Sequence, residues 1–344
     1  MNLTIGIKAL NEEGNIARAL ETALLAIERT KLAHPLLQGS VLLADSGSSD
    51  RTVEIAKRYP VDVVQLANFA ERRCGAGAQL AFQYAQGDFF YLMDADMVLS
   101  SDFLAEALTF LKINHDVAAV GGLVNECVLT SEEFQIRAGD GKHKHLSAGP
   151  VDRLDGGGLY RVDAVREVKF FADRNLHAFE EFELAARLQV NGWKLHRLAI
   201  VAVDHYGHSS GGYRLLWRRL KSGYAGGVGE VLRASLGKPH LSFVVRRLSH
   251  LRHSVAVLAW WACLLAAVAF SPVAAVFLLV LPILYLSYRR RSVWLGLFSV
   301  ASWNVAAIGL LSGFFRRRND PVINVSGVIL SAANSARNSD RSTA

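Results

Sequence analysis

The sequence predicts an α/β protein: a doubly wound, mostly parallel sheet of Rossmann-like character, followed by C-terminal transmembrane helices. Three observations carry that prediction. Short apolar runs alternate with helix-period segments from residue 1 to about residue 210. Acidic residues recur directly after several of those runs. The last quarter of the 344-residue chain holds three long stretches almost without charge.

Leu3-Thr4-Ile5-Gly6-Ile7 reads as the first strand, and Asn11 to Glu28 follows with Ile16, Leu20, Ala23, Leu24 and Ile27 at helical spacing. Val41 to Ala44 is a second strand, ending in Asp45-Ser46-Gly47-Ser48-Ser49-Asp50 ahead of a helix from Thr52 to Arg58. Val61 to Leu66 is a third strand, and Gly75 to Ala85 a helix closed by Gly87. Phe89 to Met93 is a buried fourth strand running into Asp94-Ala95-Asp96. Ligands of such sheets sit beyond the carboxyl ends of the strands.

Glu12, Glu13, Asp45, Asp94 and Asp96 all fall at those ends. Bare carboxylates repel one another unless a cation or hydrogen-bond donors compensate. Hard oxygen ligands favour Mg²⁺ or Mn²⁺, which commonly complete their shells with substrate phosphates. A strand-end aspartate also serves as a helix cap, the reading preferred for Asp50. A buried apolar strand ending in Asp-x-Asp is the more specific signal, so Asp94 and Asp96 are read as functional.

The formal net charge of +7 is unevenly placed, with eleven Lys/Arg and no Asp or Glu between Val231 and Asn319. These basic residues flank apolar runs, the pattern of a membrane protein; no nucleic-acid partner is expected. Mean hydropathy of +0.21 agrees. Cys74, Cys127 and Cys263 lie far apart without CxxC spacing, which argues against a disulfide scaffold and a zinc site. The apolar stretches are Ser254 to Phe270, Val273 to Tyr288 and Val293 to Phe315. Arginine clusters precede the first, follow the second and follow the third, and the positive-inside tendency places all of them in the cytoplasm. That favours a two-span hairpin plus a re-entrant or interfacial third segment centred near Asn304, with three full spans as the alternative.

The expected division is a catalytic domain over 1–210, amphipathic segments over 211–250, a membrane domain over 251–318 and a flexible tail over 319–344. In the second region Tyr213, Leu216, Trp217, Leu220 and Tyr224 form a helical stripe, lying on the bilayer or packed on the catalytic domain.

The motifs Asn11-Glu12-Glu13, Asp45-x-Gly-Ser-x-Asp50, Asp94-Ala95-Asp96, Gly156-Gly157-Gly158-Leu159-Tyr160-Arg161, Phe179-Glu180-Glu181-Phe182-Glu183-Leu184 and Asn191-Gly192-Trp193 occur in this order. Together they resemble the successive motifs of inverting, membrane-anchored family 2 glycosyltransferases with the GT-A fold, over residues 1 to about 210. The resemblance implies that Ala9, Asn11 and Glu12 line the nucleotide and that Asp45 accepts a hydrogen bond from its base. It further implies that Asp94 faces the ribose or the metal and that Asp96 holds the metal on the diphosphate. His205, in the late His-containing loop, would complete the metal shell, with His208 competing for that role. Gly157 and Arg161 would lie along the substrate. Arg73, or Arg72, is a candidate phosphate contact. Glu181 stands where the family usually has Asp and would be the general base, with Glu180 or Glu183 as alternatives.

Asp140 to His145 is read as a loop over the cleft. Processive members carry Gln-x-x-Arg-Trp, whereas here Arg214-Leu215-Leu216-Trp217-Arg218 reverses the last two, so transfer of a single sugar is expected. The donor would be a nucleotide sugar, a UDP-sugar being the commonest choice. The acceptor would be lipid-linked, and the location the cytoplasmic face of the inner membrane. A non-catalytic nucleotide-sugar-binding or assembly subunit is the other reading.

Overall fold

The computed structural model describes residues 1–127, 146–207 and 212–333. The 140–145 loop and His208 lie outside them. Strands β1 (Asn2–Ala9), β2 (Gln38–Asp45), β3 (Asp62–Leu66) and β4 (Phe89–Asp94) stand in the order β3-β2-β1-β4, and each pair is parallel. Their side chains feed two apolar layers, one per face. Leu3, Ile5 and Ile7 pack with α1 (Ile16–Ala33) and α4 (Phe103–Ile113). Leu42, Ala44, Phe90 and Leu92 pack with α3 (Cys74–Tyr84), α5 (Val162–Glu167) and α6 (Glu180–Val190). Each fully buried Leu or Ile contributes roughly 1.5–3 kcal/mol, so these layers fix the strand ends firmly.

The first helix starts later than its apolar spacing predicts. Asn11 takes the left-handed conformation at φ 57°, and the Glu12 carbonyl accepts from the Asn15 and Ile16 amides, so the coil begins only there. The short α2 (Thr52–Ala56) forms where expected.

The second half of the sheet adds antiparallel pairs to this parallel core. β8 (Gly158–Arg161) joins β4 and β6 (Val117–Glu126) antiparallel, and β9 (Lys194–His205) runs parallel to β6 but antiparallel to β5 (Met97–Leu99) and β7 (Gly149–Val151). These strands are short or interrupted by bulges, so their alternation is weak in the sequence.

A platform follows: α7 (Gly212–Lys221), a 3₁₀ turn (Tyr224–Gly226), α8 (Gly227–Ser235) and α9 (Leu241–Arg247). Helices α10 (Ser249–Phe270), α11 (Pro272–Arg290) and α12 (Val293–Phe315) are, at about 1.5 Å per residue, each near the thickness of a bilayer core. On α10 and α11, Leu265, Phe270, Phe277 and Leu281 point outward, as lipid-facing side chains do. α12 instead lies along the platform. Tyr213 of α7 packs on Trp294 and Phe298 with ring centroids 5.2 and 5.4 Å away, while Trp217 of the same stripe stays exposed. A Cβ on Gly309 or Gly313 would sit 2.0 Å from the carbonyl oxygens of Ala225 and Gly226, so only glycine permits this approach.

The chain then returns to the sheet. Arg316 binds buried Glu230 and the His177 ring, and Arg318 binds Asp173. Residues 327–331 form β10 (Gly327–Ser331), antiparallel to the edge strand β3. The expected flexible tail is thus corrected over its first part. β-branched Val328 and Ile329 complete an edge that would otherwise expose unpaired backbone groups.

Candidate active site

The register of β1 decides which acids meet. Lys8 pairs with Asp94 and Ala9 with Asp45. Neighbouring residues of one strand face opposite ways, so Asp94 and Asp45 lie on opposite faces of the sheet. Asp45 is fully buried; its Oδ2 accepts from the Gly47 and Ser48 amides, both at 2.9 Å, and from Gln65 Nε2 at 2.8 Å. Its Oδ1 takes the Ser48 hydroxyl at 2.5 Å. These bonds shape the loop that follows β2, on the sheet face opposite Asp94.

That loop is tied to its neighbours. Asn11 Oδ1 accepts from the Ser49 amide at 2.8 Å, and Glu12 is buried with Oε2 on Asn15 Nδ2 at 2.8 Å and its amide on Thr52 Oγ1 at 2.8 Å. Ala9 ends β1 beside the loop, its carbonyl accepting from the Ser46 amide at 2.9 Å. Arg72, an alternative phosphate contact, braces the same loop through the Ser46 and Gly47 carbonyls. Asp50 accepts from the Thr52 amide at 3.0 Å just ahead of α2, whose N-cap position is taken by Arg51. Burial raises the Asp50 pKa, but hydrogen bonds from Thr52 and the Glu13 amide outweigh this and hold it below the usual value.

Across the sheet, Asp94 sits by Lys8, whose Nζ is 3.1 Å from Asp94 Oδ1 and 2.7 Å from Glu180 Oε1. Burial raises the Asp94 pKa, opposed by Lys8 and reinforced by Asp96 and Glu180. The pairing of β5 with β9 brings His205 to Asp96, Nε2 to Oδ2 at 3.4 Å, while His205 Nδ1 lies 2.8 Å from Glu126 Oε2. Hydrogen bonds to Asp96 and Glu126 push the imidazole up to about 10. Among the described residues no three His, Cys, Asp or Glu side chains form a metal cage. A carboxylate beside an imidazole whose other nitrogen is held by a second carboxylate nevertheless fits a divalent cation that takes its remaining ligands from phosphate. Asp94 spends one oxygen on Lys8, so the fitting pair is Asp96 and His205.

Helix α6 supplies the remaining acids. Phe179, at φ 65°, turns the chain sharply into it, and its first-turn carboxylates face the positive end of the helix dipole. The alternatives separate here. Glu183 is buried against Arg187, with Nε at 2.9 Å and Nη2 at 2.8 Å, and Arg187 also holds the Val168, Phe170 and Phe171 carbonyls. It is a structural ion pair. Glu180 belongs to Lys8. Glu181 is half-buried, and burial lifts its carboxyl well above the usual range, with Lys8 opposing and Asp155, Glu180 and Asp94 reinforcing the shift.

Two further expectations change. Arg161 pairs with Phe89 at the opposite end of β4, five residues and roughly 17 Å from Asp94. Its guanidinium caps α4 through the carbonyls of Leu111 and Asn114 and binds the Val117 carbonyl at 2.9 Å, away from the strand-end acids. Arg73 has Glu230, Glu71, Arg316 and Arg174 as its charged neighbours, which places it at the join to the platform. Gly157 runs against β4 at φ 91°, where a Cβ would lie 2.8 Å from the Leu92 carbonyl. Sequence reasoning missed Lys8 and Glu126. Lys8 had a legible signal, as the one charged side chain in β1.

The site meets the platform directly. A Cβ on Gly227 of α8 would lie 2.8 Å from that of Ala178 and 3.0 Å from the Phe179 ring, immediately before Glu180. Leu176, Phe182 and Ala186 share an apolar cluster with Val228, Val244, Leu251 and Leu310.

Comparison with known proteins agrees with this architecture. The family model described as "Glycosyl transferase family 2" matches residues 4–167. A dolichyl N-acetyl-alpha-D-glucosaminyl phosphate 3-beta-D-2,3-diacetamido-2,3-dideoxy-beta-D-glucuronosyltransferase of Methanococcus voltae is 22% identical over 223 residues, covering 60% of this chain and 68% of that protein. A low-salt glycan biosynthesis hexosyltransferase of Haloferax volcanii is 30% identical over 119 residues, 35% of this chain and 27% of that one. Among solved structures, a mannosyltransferase from Pyrobaculum calidifontis in complex with GDP-Man and Mn²⁺ superposes with a TM-score of 0.59 at 19% identity, covering 90% of this chain and 86% of that one. The chain thus carries a family 2 glycosyltransferase domain of GT-A-like fold, joined to three helices of membrane-span length.

Proposed function

We propose that this membrane-associated glycosyltransferase moves one sugar from a nucleoside-diphosphate sugar to a lipid-linked acceptor, with inversion. The observation that carries the reading is the joining of Asp94 to the Glu180–Glu181 turn through Lys8, next to where the platform packs on Ala178 and Phe179. The mannosyltransferase that shares the fold holds GDP-Man and Mn²⁺, and the Methanococcus relative is named for a dolichyl-phosphate-linked acceptor. Both support the reading.

Asp96 and His205 are the residues to hold a divalent cation, Mg²⁺ or Mn²⁺. Such an ion, when bound, would offset the charge of the leaving nucleoside diphosphate. Asp94, fixed by Lys8, orients the donor. Glu181 accepts the acceptor hydroxyl's proton as that oxygen attacks the anomeric carbon in line and the diphosphate departs from the other face. Burial suits it to this role by raising its basicity.

The chain leaves the catalytic unit at α10 and is back on it at Arg316, so any bilayer in between is crossed an even number of times. We therefore read α10 and α11 as a spanning hairpin and α12 as an interfacial helix on the platform. Arginine clusters on the catalytic side support a cytoplasmic location for it.

The test uses full-length protein in nanodiscs with UDP- or GDP-sugars, Mg²⁺ or Mn²⁺, and polyprenyl phosphate or polyprenyl-diphosphate glycans. Metal-dependent release of nucleoside diphosphate, coupled to a glycosylated lipid, is expected. Donor binding without release under every combination would favour the non-catalytic reading.

A further inference from the structure

Lys8 is out of place for a strand that serves only the fold. Its neighbours on β1 are Thr4, Gly6 and the buried Leu3, Ile5 and Ile7, and its side chain is 17% exposed. A buried ion pair seldom stabilises a protein more than an apolar residue of the same volume. Yet this ammonium joins two carboxylates from distant parts of the chain, Asp94 at the end of β4 and Glu180 in the first turn of α6.

The geometry gives that link a task. Helix α6 begins at Phe179 in a left-handed conformation, a strained entry that lasts only where its surroundings hold it. Without a cation between them, Asp94 and Glu180 would repel and push the helix start away from β4. We propose that Lys8 is a positioning residue for the transfer reaction. It clamps the first turn of α6 to the end of β4, setting Glu181 at a fixed distance from the donor held at Asp94. Glu180 is the anchor of that clamp, and Glu181 the group it positions. The burial of Lys8 would lower its pKa, but Asp94 and Glu180 more than reverse this, so the clamp stays charged.

This inference rests on the proposed transferase reading, and the wild-type enzyme tests that reading first. Full-length Lys8→Met, Lys8→Arg and Lys8→Met/Glu180→Gln proteins are then compared in nanodiscs. The measurements are kcat, donor KM, binding of nucleoside diphosphate with Mn²⁺, and Tm. Misplacing a catalytic group by about 1 Å costs on the order of 100-fold, so Lys8→Met is expected to lose kcat on that scale. Its nucleoside-diphosphate affinity should stay within about threefold of wild type. Lys8→Arg should regain at least roughly tenfold of the loss, because a cation is restored. The double variant should regain Tm, since the repulsion is gone, but not kcat.

Full turnover in the double variant would overturn the inference, reducing Lys8 to a neutraliser of Glu180. A matching loss of nucleotide affinity and kcat would overturn it too, making Lys8 a donor ligand. Should Lys8→Met not fold, Lys8→Arg and the double variant still decide. An inactive wild type would defeat the functional reading itself, whereas an active wild type with unimpaired Lys8→Met defeats only this inference.

Discussion

Around β1 to β4 the large apolar side chains turn inward and the backbone is paired with backbone, whereas on α10 and α11 they turn outward. Between these regions the platform meets α12 by yet another rule. There glycine removes side chains so that helices touch backbone to backbone, and buried Glu230 gathers His177 and Arg316 at the join. The sheet can tolerate variation at its strand ends because its core lies beneath them. The join cannot, because nothing at Gly309 or Gly313 has room to grow. The candidate site collects where a strand end of the sheet meets the platform.

Four substitutions break or sharpen this contrast. The largest effect belongs to the strand-end site: Glu181→Gln should lower kcat about 10²–10⁴-fold while leaving Tm nearly unchanged. In the wild type, the base works only when deprotonated and its pKa is raised by burial. Activity should therefore fall with decreasing pH through a limb above the ordinary carboxylate range, measured as a kcat/KM profile. Next comes the join. Gly309→Leu places carbon against the Ala225 carbonyl and should cost about 3 kcal/mol or more, read by thermal unfolding in detergent. If it is tolerated, the backbone contact is not what holds α12 to the platform.

Arg161→Ala tests the far end of the sheet. Loss of its bonds to the α4 carbonyls should cost about 1–3 kcal/mol, with donor KM changed less than about threefold in steady-state assays. A large KM effect would return Arg161 to the substrate. The smallest effect is expected from Asp50→Ala, about 1 kcal/mol from the lost bond to the Thr52 amide, by denaturant titration.

Much of this was legible beforehand. The four parallel strands, the helices between them and the acids at their tips follow from period and punctuation, which are local properties. The separation of Asp45 from Asp94 was not, because a one-residue difference in register, invisible to either strand alone, sends the two to opposite faces. Arg161 misled because its motif adjoins Gly157, while an antiparallel strand carried it from that loop to the opposite edge. β10 was hidden inside a polar tail, since a strand of five residues declares itself only when an edge is there to receive it.

Residues close together along the chain suffice for the α/β class, the Asp-x-Asp strand end and the three apolar helices. The tertiary structure decided which carboxylates share a face, that Lys8 ties Asp94 to Glu180, and that the chain returns from its apolar helices to the sheet. Those are relations between residues 36 to more than 200 positions apart, set by strand register and helix contact, and no local pattern encodes them.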